Sequence, residues 1–443
     1  MIRTVVVIVA LVAGWSFAIQ SPLYGAAFYL WIAYFRPESW AWSGVFATLN
    51  LSYFAGAFLL LRTALSPTRF RVDFRHLLMF LFLAQGLLST LLGPNMAYSM
   101  SSWQEFAKTI IISYLLTLLI KTTADLRLIL MVVVLSLGFE AGKQGWVQLV
   151  LNPGARNDNS IPFLGDNNLV AVGMAMLLPL IGALGATSTG WRRRAFQLLS
   201  IGVLYRAIST YSRGGLLAVT AVGGMYFWRS QHKLRAMAAF AIAVALVLPV
   251  LPQAYWDRMA TITAPAEERD DSQQSRLHFW QVAVAMANDR PFVGVGHNGY
   301  PRAYNQYDWT DGQYLTNRAV HSAWFGVLGE LGYPGLFLFV TLVWTSLRAC
   351  RRVRQSAQRG EIPGPLGNYA IGLESSLLAF VVGGSFVSFH YSEMLWHFFA
   401  LTMALESVAV TEAEAERVRL AVPTAAAPAP AVTPAREPDF AWG

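Results

Sequence analysis

Apolar runs of about 20 residues recur along most of the chain, the length that carries an α-helix across a hydrocarbon core of ~30 Å. They fall near residues 4–35, 45–61, 76–92, 103–120, 127–149, 167–189, 195–211, 214–229, 235–252, 321–347, 368–389 and 392–408. The runs are continuous and do not alternate, so they predict spanning helices, not barrel strands. The first is too long for one straight span and is broken at Ser21-Pro22. It opens like a signal peptide, with Arg3 before an apolar stretch, but it lacks an A-x-A cleavage pattern and leads straight into further apolar sequence. It therefore reads as retained, either two short helices or one kinked crossing, and the alternation of basic loops along the chain requires one net crossing with Arg3 inside.

One long polar segment interrupts the pattern, residues 254–320, which includes Glu267-Glu268-Arg269-Asp270-Asp271. Within it, Leu277, Trp280, Val284 and Ala287 recur at helical spacing, and Pro291 follows. This predicts an amphipathic helix near 275–288. Pro291 through Gly296 reads as a sharp return turn. From Thr411 the chain becomes charged and then Ala/Pro-rich, which predicts a disordered tail over 411–443. The expected organisation is nine spans in 1–253, a large loop at 254–320, three spans in 321–410, and the tail.

Composition supports a polytopic all-α membrane protein. Only 13% of the 443 residues are charged and 55% are hydrophobic, whereas a soluble domain carries about a quarter charged residues. The single cysteine, Cys350, excludes a disulfide framework and a cysteine metal site. His76, His232, His278, His297, His390 and His397 show no metal-ligand spacing, so neither a metal nor a cofactor is expected.

The net charge of +8 matters through its placement. Basic loops are marked by Arg62, Arg69, Arg71 and Arg75, by Lys121 and Arg127, by Arg192-Arg193-Arg194, by Arg229, Lys233 and Arg235, and by Arg348 through Arg359. They alternate with basic-poor loops. The positive-inside rule then gives about twelve crossings with both termini cytoplasmic. Segment 254–320 lies on the outer face, the periplasm of a bacterial inner membrane. Trp31, Tyr34, Trp40 and Trp42 read as interfacial anchors.

Three residues at that outer face carry candidate chemistry. Arg213 lies in Ser212-Arg213-Gly214-Gly215, where adjacent glycines let backbone and guanidinium approach an anion together. A guanidinium presents a rigid fork that matches phosphate oxygens. Arg276 opens the amphipathic helix, where backbone amides also favour anions. His321 starts a span, and the positive end of a helix dipole favours a neutral imidazole able to take a hydroxyl proton. Glu330 is not placed to orient it. Weaker candidates for binding are Arg206, which shares nearly one helical face with Arg213, then Glu140, Lys143, Arg156, Asp166 with Asn167 and Asn168, and His297. Two arginines and a neutral histidine suit transfer from a phosphate-activated lipid donor to a hydroxyl.

The combination resembles the O-antigen ligase/polymerase superfamily of bacterial inner-membrane proteins. The matching pieces, in order, are Ser212 through Gly215, Arg276 through Gly296, and His321 with Leu328-Gly329-Glu330-Leu331-Gly332-Tyr333-Pro334-Gly335. The N-terminal third, with Phe35-Arg36-Pro37-Glu38-Ser39-Trp40 and Gly138 through Gly145, looks like the branch that includes ligases and O-glycosylation ligases. The family often has Asn after the histidine; this chain has Ser322. The resemblance implies glycan transfer from undecaprenyl diphosphate to an acceptor, lipid A-core in the ligases. It gives Arg213 and Arg276 the diphosphate and His321 the acceptor hydroxyl, without metal and with inversion at the sugar. Partners would be the lipid-linked glycan, lipid A-core and membrane lipids, with no nucleic acid. A polysaccharide polymerase or protein O-oligosaccharyltransferase shares these motifs and differs in acceptor. A lipid-oligosaccharide transporter would instead distribute charges through its spans.

Overall fold

The computed structural model describes all residues except 1, 42–45, 47, 68–71, 236, 239–240, 242–244, 246–250, 261–270 and 422–443. Among the described residues the elements are helical, with one isolated β-bridge between Ile161 and Gly165. They run α1 (Ile2–Gln20), α2 (Pro22–Phe35), α3 (Pro37–Trp40), α4 (Leu51–Ala64), α5 (Phe74–Leu92), α6 (Met96–Leu119), α7 (Thr123–Leu151) and α8 (Asn167–Ala186). Then follow α9 (Gly190–Ile208), α10 (Arg213–Arg229), α11 (Gln253–Ala260), α12 (Asp271–Asp289), α13 (Tyr300–Tyr307), α14 (Ala323–Gln358), α15 (Gly364–Gly383) and α16 (Glu393–Ala421).

Six described helices are long and apolar enough to cross a membrane: α1, α5, α8, α14, α15 and α16, the last over Glu393–Val418. This is the pattern of a polytopic membrane protein, with fewer such helices than the twelve crossings expected. The reasons are local. α6 carries Glu105 and Lys108, α7 carries Glu140 and Lys143, and α9 opens on three arginines. α4 has 14 residues and α10 has 17. Most of the expected span 235–252 lies outside the described residues, as do Glu267 through Asp270 of the long polar segment.

The expected single crossing over residues 4–35 is two antiparallel helices. Ser21 ends α1 and caps α2, its side chain accepting from Leu23 N, and Pro22 occupies the first turn of α2. The helices close on each other through Trp15 against Phe28 and Phe17 against Tyr24. A Cβ on Gly14 would sit 2.2 Å from the Phe28 ring. The hairpin returns Arg3 to within 5.4 Å of the Trp40 ring, beside Lys143. Arg3 therefore lies at the same end of the bundle as Arg36, not at the opposite end as expected.

The two ends of the bundle differ in chemistry. At one end the arginines of the basic loops are paired across helices. Arg75 and Arg352 both meet Glu406, and Arg229 and Arg354 both meet Glu374. Arg127 donates to Thr187 O and Ser188 Oγ. Thr123 Oγ1 donates to Glu412, on a stretch of α16 that runs past Thr411 to Ala421. The other end carries the candidate residues.

α14 is broken at Gly332, whose φ of 69° lies in the left-handed region that glycine adopts without strain. The break frees carbonyls of the first segment, and the return turn at 291–296 meets them. Val295 N donates to Gly329 O and Gly296 N to Glu330 O, each at 3.1 Å, and Ser89 Oγ donates to Glu330 O at 2.6 Å. Gly294, at φ 63°, packs so tightly that a Cβ would meet Glu330 C at 2.4 Å. The expected span 321–347 is therefore a short helix, Ala323 to Leu331, followed by a longer one. The short piece is clamped between α5 and α12.

The expected helix near 275–288 is α12, but its buried arc is rotated from the predicted stripe. Phe279, Val282, Ala283 and Met286 are buried, whereas Leu277 is 46% exposed. The packing of α12 on α13 and on the first segment of α14 draws that arc inward.

Candidate functional site

Three helix N-termini converge at the end opposite the paired arginines. Asp166 caps α8, accepting from Asn168 N and Leu169 N. Ser212 caps α10, accepting from Gly215 N at 3.2 Å, and its hydroxyl donates to Asn168 Oδ1 at 2.9 Å. Ser322 caps α14 through Phe325 N. These caps leave the positive ends of three helix dipoles facing one region, a setting that favours anions.

Arg213 is the first residue of α10 and is 8% exposed. Its neighbouring glycines serve packing, a different role from the one their sequence suggests. A Cβ on Gly214 would lie 2.9 Å from Phe386 Cβ, and one on Gly215 would lie 2.3 Å from Ala171 Cβ. Phe386 lies against Trp280 of α12, which stacks on Phe325 at 5.2 Å between ring centres. Through these rings α10, α12 and α14 form one wall. Arg276 stands on α12 one turn before Trp280; because the helix begins at Asp271, it lies in the second turn and not at the N-terminal end as expected, away from the free amides of the first turn.

His321 lies just outside α14, two residues before Ala323, held at φ 50°. Few non-glycine residues take that conformation, and it marks an over-determined position. Ser322 and the hydrogen bond from Ala323 N to Gly384 O fix the backbone on its C-terminal side. The imidazole is half-buried and 6.2 Å from the Phe279 ring. Burial holds its pKa below the usual histidine value, the Arg276 and Arg318 guanidiniums act in the same direction, and Asp166 opposes them. A histidine kept neutral beside two cations can accept a proton from a hydroxyl.

Arg318 is the residue the sequence reading missed. It lies three residues before His321, over the Phe279 ring at 5.5 Å. Spacing alone gives no reason to prefer it over its exposed neighbours in the loop. The loop that carries it is tied to α12 by His278, whose Nε2 lies 2.9 Å from Asp308 Oδ1, both side chains being buried.

The weaker candidates separate into other places. Arg206 is fully buried, and its guanidinium donates to Gln144 Oε1, Asn157 O and Asn159 O. It shares no helical face with Arg213, because α9 ends at Ile208 and the chain turns through Tyr211 at φ 58°. Lys143 and Glu140 pair at 2.6 Å on α7. Arg156 pairs with Asp158 at 2.8 Å on the loop that leads to Asp166. His297 is buried deeper, its ring tilted against Tyr391 with 3.9 Å between ring centres. Glu330 points to Tyr300 N and His390, not to His321.

Residues 198–340 match the family model described as O-antigen ligase, Wzy_C, and they contain Arg213, Arg276, Arg318 and His321. The match over that segment supports membership of the O-antigen ligase superfamily. Members are glycosyltransferase-like ligases and polymerases, which is consistent with an enzyme and with the apolar helices of this chain. Residues 2–168 match a second model, a family of unknown function, DUF5935. That segment carries Glu140, Lys143, Arg156 and Asp166. No curated protein matches the chain.

Proposed function

We propose that the protein transfers a glycan from undecaprenyl diphosphate to a sugar hydroxyl of lipid A-core, as an O-antigen ligase at the periplasmic face of a bacterial inner membrane. The observation that carries this reading is Arg213 and a neutral-favouring His321 at converging helix N-termini, with the Arg276 guanidinium acting on His321 from α12. Arg213 and Arg276 bind the diphosphate and stabilise its charge as it leaves. His321 takes the proton of the acceptor hydroxyl, whose oxygen attacks the anomeric carbon as the carbon–phosphate oxygen bond breaks. One displacement inverts the anomeric configuration, with no glycosyl-enzyme intermediate and no metal.

The test is transfer in nanodiscs, with purified protein, undecaprenyl-diphosphate glycan, rough lipopolysaccharide and EDTA. A capped ladder is expected with wild type and none with His321→Ala. A ladder that survives His321→Ala removes the histidine as base, and a product of retained configuration overturns the single displacement. No ladder with wild type moves the acceptor to a growing glycan or a protein.

A further inference from the structure

Arg318 is half-buried and lies over the Phe279 ring at 5.5 Å. Its Nε is shut off from solvent and meets no acceptor among the described residues. The carboxylates nearby in the fold are committed elsewhere. Asp308 accepts from Thr310 and Gly312 and lies against His278. Glu330 accepts from Tyr300 N and faces His390. The face of a phenyl ring attracts a cation but gives its N–H groups no lone pair. A part-buried guanidinium loses hydration, and no carboxylate among the described residues offsets that loss. A polar group left in this state calls for an explanation, and an anion carried by a ligand supplies one.

The position of Arg318 relative to the other site residues gives that anion a source. Arg318 and His321 are three residues apart on one loop and flank the same ring, with Phe279 6.2 Å from the imidazole. The Arg318 charge acts on that imidazole, together with burial and Arg276, against protonation. Arg213 stands on another side of α12. Its neighbour Gly214 lies against Phe386, which faces Trp280. Consecutive side chains leave a helix axis about 100° apart, so Phe279 and Trp280 look in different directions. Arg213 therefore reaches the site from the Trp280 side, and Arg318 from the Phe279 side beside the base.

On the glycan-transfer reading, on which this rests, we propose that Arg318 binds an anionic substituent of the acceptor. The substituent is a phosphate ester or a carboxylate, on the sugar that offers its hydroxyl to His321 or on the next one. A guanidinium fork meets either anion through two parallel N–H donors. Arg318 then holds the acceptor by its charge while His321 takes the proton of its hydroxyl. The residue selects charged acceptor sugars over neutral ones, a task separate from holding the leaving diphosphate. The loop that presents it is fixed, because His278 and Asp308 tie that loop to α12.

Acceptor binding to the full chain in detergent, read by titration calorimetry, tests this without any transfer. The probe is O-deacylated rough lipopolysaccharide in three forms: untreated, stripped of phosphate esters with hydrofluoric acid, and with its carboxylates reduced to alcohols. One of the two treatments should weaken binding to wild type about tenfold, the scale of one lost charge-assisted contact, and which one does so names the anion. Arg318→Gln should bind the untreated form as weakly as wild type binds the treated one, and Arg318→Lys should recover part of the difference. His321→Ala should keep the discrimination. Equal affinity of wild type for the three forms, or binding of none, overturns the proposal even if a variant fails to fold. Discrimination that survives Arg318→Gln overturns it too. So does weaker binding of undecaprenyl-diphosphate glycan by Arg318→Gln, which would make the residue a ligand of the donor. The two readings fail separately. A wild-type ladder with acceptor affinity indifferent to Arg318 sinks this proposal alone, and Arg318-dependent binding without a ladder sinks the ligase reading alone.

Discussion

Ser212 Oγ donates to Asn168 Oδ1 at 2.9 Å, so one hydroxyl holds the start of α10 to the start of α8 while it caps its own helix. That joint places Arg213 beside the loop ending in Asp166. Ser212→Ala removes both bonds and should cost about 1 kcal/mol, the usual value for losing an N-cap. Ser212→Thr should keep most of it. Thermal unfolding in detergent checks stability, and the transfer assay should show a larger loss than stability explains if the joint positions Arg213.

His321 predicts the acid limb of the pH profile. Its folded pKa lies below the usual value of about 6.5 because burial, Arg276 and Arg318 disfavour the imidazolium. Activity that needs the neutral ring should persist as pH falls through 6.5 and fail only at lower pH. The same sign applies to stability. The unfolded chain takes the proton first, so this contribution is complete above the unfolded pKa and is lost as pH falls to the folded one. Arg276→Gln removes a repelling charge and should move the acid limb of kcat/KM upward. An unmoved limb would remove His321 as the titrating base.

Arg206 predicts a structural failure. Its guanidinium meets one side-chain and two backbone oxygens in a fully buried position. Hydrogen bonds to charged groups contribute about 1.5–3 kcal/mol each, and the stranded acceptors add their own cost. Arg206→Met should destabilise the protein by about 3 kcal/mol or more. Arg206→Lys should recover only part, because an ammonium lacks the fork that reaches separated acceptors. Unfolding midpoints of the two variants rank them.

Gly294 and Gly223 make a matched pair. A side chain at Gly294 is strained at φ 63° and meets the Glu330 backbone. Gly294→Ala should cost about 1–3 kcal/mol from the backbone alone, with the clash in addition. It should also loosen the short helix that follows His321. Gly223, within α10, has nothing within 4 Å of its would-be Cβ. Gly223→Ala should be neutral, or stabilising by about 0.5–1 kcal/mol through helix propensity. Parallel unfolding and transfer measurements distinguish the two.

The sequence by itself determined the helical class, the order of the motifs and the residues worth testing. Continuous apolar runs admit only helices in a bilayer, and a polar segment between runs marks where the chain leaves them. Arg213, Arg276 and His321 stood out as candidates because cations and a histidine lie there at the edges of such runs, on the face expected to meet an anionic donor. What the tertiary structure decided were the partners. The break at Ser21-Pro22 permits either a kink or a reversal, and Phe28 seated on Gly14 makes it a reversal. The glycines beside Arg213 suggest an anion loop until Phe386 and Ala171 are seen against them. Arg206 and Arg213 look alike in spacing, yet one is held by Gln144 and two loop carbonyls and the other opens a helix at the converging termini. Arg318 had no signal at all. Periodicity records which side of a helix avoids water, but the group that meets that side comes from a distant part of the chain and is fixed only when the helices pack.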